Sequence, residues 1–460
     1  MNNNKNNIQD IDKSKLVFIK QQNEEITDVA FETKEISYYQ DAWNRFKKNK
    51  ASLAAFIIIA IFLFFVLFGP YMKKYDLPSR SIADSTKLSN LTPKIPLIEK
   101  LGIFDGTKTL TRGKKFFVDM YHSEFGNDVI ISGMPQELID NPNHPDYEDV
   151  SQLTLKVDFY KYKNYISSYR NEDNSTSTIY KNLSQTPFED AMSKNQIIDV
   201  LNVSSSTGLD GKISYTYQVR VDQFKYALNQ SPDDTYFWFG TDSTGRDLFT
   251  VLWTGSRISI IVALLVVTIN SIVGLTVGAI AGYYGGKFDL IFDRFVDVLS
   301  SIPFLAVLTI LIARFGFKIW VIILAFTATG WIGSYGSSRI QFYRFKNREY
   351  VFAAKTLGAS DARIMFKHIF PNAMGIIITG LVLSIPSFII GEATYSFLGI
   401  FNYGDVTSVG MLINDGQQVM RDHPHLLLFP ALYISIMMIA FNLFGNGLRD
   451  AFNPSLRGVE

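Results

Sequence analysis

The segment from Arg348 to Asn372 reads REYVFAAKTLGASDARIMFKHIFPN. It is a basic stretch set between two long apolar runs, yet its residue order predicts two short helices. Tyr350 to Thr356 carries helix formers around the small pair Ala353 and Ala354. Gly358 supplies a C-terminal stop, Ser360 an N-cap, and Asp361 a negative charge where the next helix begins. A second amphipathic turn is expected to bring Ile364, Phe366 and Ile369 together, with Pro371 closing it. An ordered, small-residue helix pair at a membrane surface suits docking against another protein. The alternative is an ordinary basic loop of the kind any multispanning protein carries.

Working outward from this segment, the chain divides by hydropathy. Residues 1–50 form a polar Asn-, Lys- and Glu-rich tail ending in the basic cluster Arg45, Lys47, Lys48 and Lys50, with a short amphipathic helix expected over Tyr39–Phe46. Residues 51–72 carry no charge before Met72 and are long enough to cross a bilayer. No short apolar core precedes a small-residue cleavage site, so this run is expected to remain as a signal anchor. Five further spans are expected at Ile258–Gly286, Leu290–Ala313, Ile319–Ser338, Ala373–Ser396 and Leu426–Leu448, within a five-helix membrane core at 258–449, followed by a tail at 450–460. Gly274, Gly278 and Gly282 recur at four-residue spacing, which lets a neighbouring helix approach closely. An even number of spans puts both termini on one side. The loop after the fourth span holds Arg339, Arg344, Lys346, Arg348, Lys355, Arg363 and Lys367 against Glu349 and Asp361. With the basic cluster before the first span, this excess predicts cytoplasmic termini.

Residues 73–238 differ in kind. Leu153, Leu155, Val157 and Phe159 alternate with polar neighbours, as do Ile213, Tyr215, Tyr217, Val219 and Val221, the period-two pattern of half-buried strands. Asp210-Gly211 signals a hairpin turn. The expected fold is therefore a mainly α membrane protein of six spans, with a β-containing domain inserted between the first two.

Composition bounds the chemistry. The 460 residues are 47% hydrophobic with 37 Phe, and the formal net charge of +1 gives no bulk attraction to nucleic acid. There is no cysteine, so disulfides, thiolate metal sites and cysteine nucleophiles are excluded. No phosphate loop of the G-x-x-x-x-G-K-[ST] type and no H-E-x-x-H occurs, and His423-Pro424-His425 reads as a loop before a helix rather than a metal site. The chain is not expected to be an enzyme or to carry a cofactor.

The opening segment resembles the EAA loop of bacterial ABC-importer permeases. Ala353, Ala354, Gly358, Ile369 and Pro371 match, with Glu349, Lys355, Ala359 and Ser360 in the same frame, while Phe352 stands where the pattern has its glutamate. Residues 239–257, FGTDSTGRDLFTVLWTGSR, resemble the FGTDxxGRDxFxRxxxGxRxS signature of the C-type permease subunits of oligopeptide, dipeptide and nickel importers. Gly240, Thr241, Asp242, Gly245, Arg246, Asp247, Phe249, Gly255, Arg257 and Ser259 match, and Val251 replaces an arginine. Asp289, Arg294, Asp297 and Pro303 follow the same family's pattern.

The resemblance implies a permease subunit of a type I importer in a bacterial inner or plasma membrane, with a coupling loop over 344–372 and an outer-gate segment at 239–257. Its implied partners are a second homologous permease subunit, two cytoplasmic ATP-binding subunits, which would carry ATP and magnesium, and an extracytoplasmic substrate-binding protein. The FGTD segment reads either as a hinge at an outer gate or as a stabilising turn. Asp289, Asp293 and Asp297 share one helix face and read either as a cation path or as partners of the basic loop. Glu392 reads either as a substrate contact or as a brace for the loop after it. The rival classes are an ion-coupled secondary transporter, against which the scarcity of buried ionisable residues speaks, and a membrane-anchored receptor, for which six spans are excessive.

Overall fold

The computed structural model describes residues 38–72, 75, 87–123, 126–140, 151–168, 180–207, 213–401 and 407–452. The tail before Tyr38, the Asp210-Gly211 turn and the last eight residues lie outside them. Among the described residues five helices are long and apolar enough to cross a membrane, or six when one bent pair counts as a single span.

The amphipathic helix is Tyr38–Lys48, and Asn49 caps the next helix by accepting from the Ser52 amide at 3.2 Å. That helix, Lys50–Phe68, continues through the short turn Gly69–Tyr71 as the first span. It packs on the last, His425–Phe452, where Ser52 donates to the Leu443 carbonyl at 3.2 Å. Ala42 and Phe46 are buried against Phe444, Leu448, Ala451 and Phe452 of the same last helix.

The second span, Leu248–Tyr284, runs 37 residues, well beyond the ~20 that a bilayer requires. Its three glycines face the helix Ile332–Phe345, the second half of the fourth span. A Cβ at Gly278 would sit 2.9 Å from Ser338 Cβ and 3.0 Å from the Arg339 amide, so the two backbones meet without side chains between them.

The third span, expected over Leu290–Ala313 with Pro303 inside it, is two helices, Gly286–Ser300 and Phe304–Phe315, bent by 71°. Pro303 lacks an amide hydrogen and biases Ile302 away from helical geometry, which breaks the ladder there. The fifth span, Asp361–Phe397, and the last complete the bundle, with a shorter helix Val409–Gln418 between them.

The inserted domain holds two three-stranded antiparallel sheets, ordered β1-β3-β2 and β4-β6-β5. Their strands are β1 Thr107–Gly113, β2 Ile130–Ser132, β3 Gln152–Asp158, β4 Tyr180–Ser184, β5 Ile197–Thr207 and β6 Ile213–Val221. Leu155 and Val157 of β3 face a core with Phe117, Tyr160 and Phe224, as the alternation predicts. In β6 only Val219 and Val221 are buried, packed with Leu183, Phe188, Ala191 and Tyr226; Ile213 and Tyr215, at the other end of the strand, are outside that cluster and exposed.

Candidate functional site

Two clusters sit at opposite ends of the bundle, and a third lies between them. At the end away from the inserted domain, the helix Glu349–Thr356 ends as its residues predict. Gly358 adopts φ +83°, its amide donates to Lys355 O and the Ala359 amide donates to Ala354 O, both at 3.0 Å, which is a Schellman motif. Ser360 caps the following turn by accepting from the Arg363 amide at 3.4 Å. Asp361 accepts from Tyr283 and Tyr284 hydroxyls at 2.7 and 3.4 Å, which ties the loop to the end of the second span. Val351, Ile364 and Ile369 are buried with Phe342, so the loop has a core of its own.

Two expectations are corrected here. Residues Ile364–Ile369 form wider π turns, with the Phe370 amide donating to Met365 O, so Ile364 and Ile369 share the inner face and Phe366 points away, 70% exposed. Pro371 does not close the helix: it lies in the first turn of Phe370–Phe397, where a missing amide hydrogen is tolerated. Phe366 joins Phe352 and Leu357, 57% and 88% exposed, as large apolar side chains left bare on a basic loop. Ala353 and Lys355 are exposed beside them, as are Glu349, Ser360 and Pro371.

The acidic face at the start of the third span pairs with a base, the second of its two readings. Arg339 donates to Asp289 through Nε at 2.6 Å and Nη2 at 2.9 Å, and lies 3.1 Å from Asp293. Tyr335 donates to Asp293 at 3.4 Å, while Asp297 pairs with Arg294 at 2.9 Å. Arg339 therefore links the bent span to the helix that leads into the loop, a partner that the long sequence separation hid.

At the domain end, the FGTD segment is a knot of side-chain to backbone bonds. Thr241 Oγ1 accepts from the Leu91 amide at 2.8 Å and donates to Leu88 O at 2.5 Å, which joins the inserted domain. Asp242 accepts from the Thr244 and Arg246 amides at 2.9 Å, from Thr244 Oγ1 at 2.7 Å and from Arg246 Nε at 2.8 Å. Arg246 then reaches Thr407 at 3.1 Å, and the Gly255 backbone packs on Thr407 and Ser408. Asp247 caps the second span, accepting from the Phe249 amide at 3.2 Å and Thr250 Oγ1 at 2.6 Å; burial pushes its carboxyl up against those bonds. Arg257 donates to Val66 and Leu67 carbonyls at the end of the first span, at 3.0 and 2.7 Å. Gly240 and Gly245 make the turns.

Glu392, fully buried, accepts from Ser259 and Ser396 hydroxyls at 2.9 Å each, and Ser408 donates to Ser396 at 3.2 Å. It braces the segment that follows the fifth span. His423 lies 3.4 Å from Lys108 of the inserted domain, and burial followed by the Lys108 and Lys163 charges pushes its imidazole down to about 4. The seam between domain and bundle was invisible in sequence, because its partners are hundreds of residues apart.

Comparison with known proteins agrees with this architecture. Residues 274–458 match the family model described as binding-protein-dependent transport system inner membrane component, and residues 37–93 match that of the N-terminal TM domain of oligopeptide transport permease C. The dipeptide transport system permease protein DppC of Bacillus subtilis is 42% identical over 227 residues, 49% of this chain and 71% of that protein. The oligopeptide transport system permease protein OppC of the same organism is 41% identical over 226 residues, covering 49% and 74%. OppC of Escherichia coli K12 is 36% identical over 231 residues, covering 50% and 76%. The chain belongs to the inner membrane components of binding-protein-dependent transport systems, as a multi-pass ABC permease of the OppC/DppC kind.

Proposed function

We infer that this chain is the permease subunit of an ATP-driven importer of oligopeptides or dipeptides, and that the loop at 344–372 receives an ATP-binding partner. The observation that carries this reading is the bare apolar set Phe352, Leu357 and Phe366 on a loop that is otherwise basic and internally packed. Exposed aromatic and aliphatic anchors on a rigid element are the pattern of a docking face. Phe352 supplies an apolar contact where the family pattern has a carboxylate. The loop's basic excess supports a cytoplasmic side for it and both termini, and the inserted domain would then face outward, where a substrate-binding protein would deliver peptide. The complete assembly pairs this chain with a second homologous permease and two ATP-binding subunits, which hold ATP and magnesium. The FGTD segment is the outer-gate joint, since Thr241, Arg246 and Arg257 each bond a different neighbour.

Closure of the ATPase pair would move the loop, and Asp361, bonded to Tyr283, and Arg339, bonded to Asp289, would pass that motion to the second and third spans. The test is co-purification of the ATP-binding subunits with a Phe352→Ala, Leu357→Ala double variant. Both side chains are exposed, so the permease itself should fold normally while ATPase recovery falls by about tenfold or more. Undiminished recovery and transport would remove these residues from the docking face. Deleting residues 73–238 should impair binding-protein-dependent uptake and spare ATPase co-purification; unchanged uptake would count against an outer receiving role for that domain.

A further inference from the structure

Between the middle turns of the second, fourth and fifth spans lies a cavity of about 430 Å³, inside the range of about 300–1,000 Å³ usual for small-molecule sites. Asn270, Ser334, Ser384 and Ser387 line it from three different helices, and its apolar side is Phe326 and Phe388, with ring centroids 4.5 Å apart. None of its lining residues among those described is ionisable. Ser384 and Ser387 donate to the Gly380 and Leu383 carbonyls at 2.8 and 2.9 Å, which leaves their oxygens free to accept. Asn270 donates to Phe326 O at 3.4 Å, while its Oδ1 is buried without a hydrogen-bond partner.

We propose that this cavity is a binding section of the substrate pathway, and that its wall takes an uncharged stretch of peptide main chain. The assignment rests on the peptide-permease reading above. Main-chain amides donate to the exposed Ser384 and Ser387 oxygens, which reach into the cavity from one helix face. The wall carries no fixed charge, so at this depth it does not favour acidic over basic side chains.

The chain has no cysteine, so single cysteines can be labelled selectively. Ser384→Cys and Ser387→Cys are compared with Ile439→Cys, on an exposed apolar face of the last span, in the assembled complex in lipid nanodiscs. The probe is a positively charged, membrane-impermeant methanethiosulfonate. The two serine positions should react at least about tenfold faster than Ile439→Cys, since only a watered cavity admits a charged reagent. Ser387→Asp should also lower uptake of glutamate-bearing relative to lysine-bearing alanine pentapeptides by about fivefold against the parent complex, because it sets a fixed negative charge beside the passing side chain.

Labelling no faster than the lipid-facing control would overturn the proposal and make the cavity a seat for lipid or a partner helix. An unchanged peptide ratio would overturn the main-chain assignment. Absence of peptide-stimulated ATP hydrolysis in the parent complex would instead sink the peptide-permease reading itself, an outcome recorded separately from the labelling.

Discussion

Arg339→Ala is the sharpest test of how the loop end of the bundle is held. The substitution removes a guanidinium bonded to Asp289 at 2.6 and 2.9 Å and lying 3.1 Å from Asp293. The Arg339 and Asp289 side chains are 31% and 14% exposed. That places the pair between a solvated one, worth at most ~1 kcal/mol, and a buried one whose breakage costs about 3–5 kcal/mol. About 2 kcal/mol is the resulting expectation, or roughly thirtyfold in a docking equilibrium. The helix that would loosen is Gly286–Ser300, whose one buried residue among those described is Val296.

Val296→Cys in this cysteine-free chain reports that loosening, because N-ethylmaleimide reaches the thiol only when the helix lifts. Arg339→Ala should raise the labelling rate by about thirtyfold. With Asp289 and Asp293 already replaced by alanine it should add little, because the pair is then gone. A rise of less than about threefold would refute the reasoning. So would an equal rise in the aspartate-free background, since the effect would then owe nothing to the ion pair.

Other perturbations have equally definite outcomes. Asp242→Ala strands two backbone amides, while Arg246, 42% exposed, keeps water and Thr407; the change should cost about 2 kcal/mol and appear as faster amide exchange across residues 241–248. Gly278→Leu drives a side chain into Ser338 and the Arg339 backbone, so it should destabilise the purified permease to heat by about 1–3 kcal/mol, whereas Gly333→Ala, with open space around it, should not. His423 stays neutral in the fold down to about 4, below its ordinary 6.5. Its contribution is complete above pH 6.5 and is lost as pH falls toward 4, because the unfolded chain then binds the extra proton. Proteolysis at the seam between inserted domain and bundle should therefore quicken over that window, and His423→Gln should reduce the response, with the neighbouring His425 left to carry the remainder.

The loop at 348–372 shows where local rules carry and where they stop. Gly358, Ser360 and Asp361 take the roles their residue types imply, because capping is decided within a turn of backbone. The placement of Phe366 was not legible, since a register change to wider turns rotates side chains without altering the apolar count. The third span was recognisable by hydropathy, but its 71° bend followed from Pro303 acting within a particular packing. In β6 the alternation located a strand correctly, yet which of its apolar residues are covered depended on where Phe188, Ala191 and Tyr226 pack on its face.

By itself the sequence determined the spans, the strand pattern of the insertion, the capping of the loop and the glycine face of the second span. All of these follow from periodicity, conformational preference and side-chain size read over short distances. Only the tertiary structure decided that Arg339 holds Asp289, that Thr241 joins the inserted domain to the bundle, that Glu392 braces the segment after its span, and that Asn270, Ser334, Ser384 and Ser387 surround one cavity. Those partners lie on separate helices or in separate domains, and a chain order carries no record of which distant groups will satisfy one another until packing brings them within bonding distance.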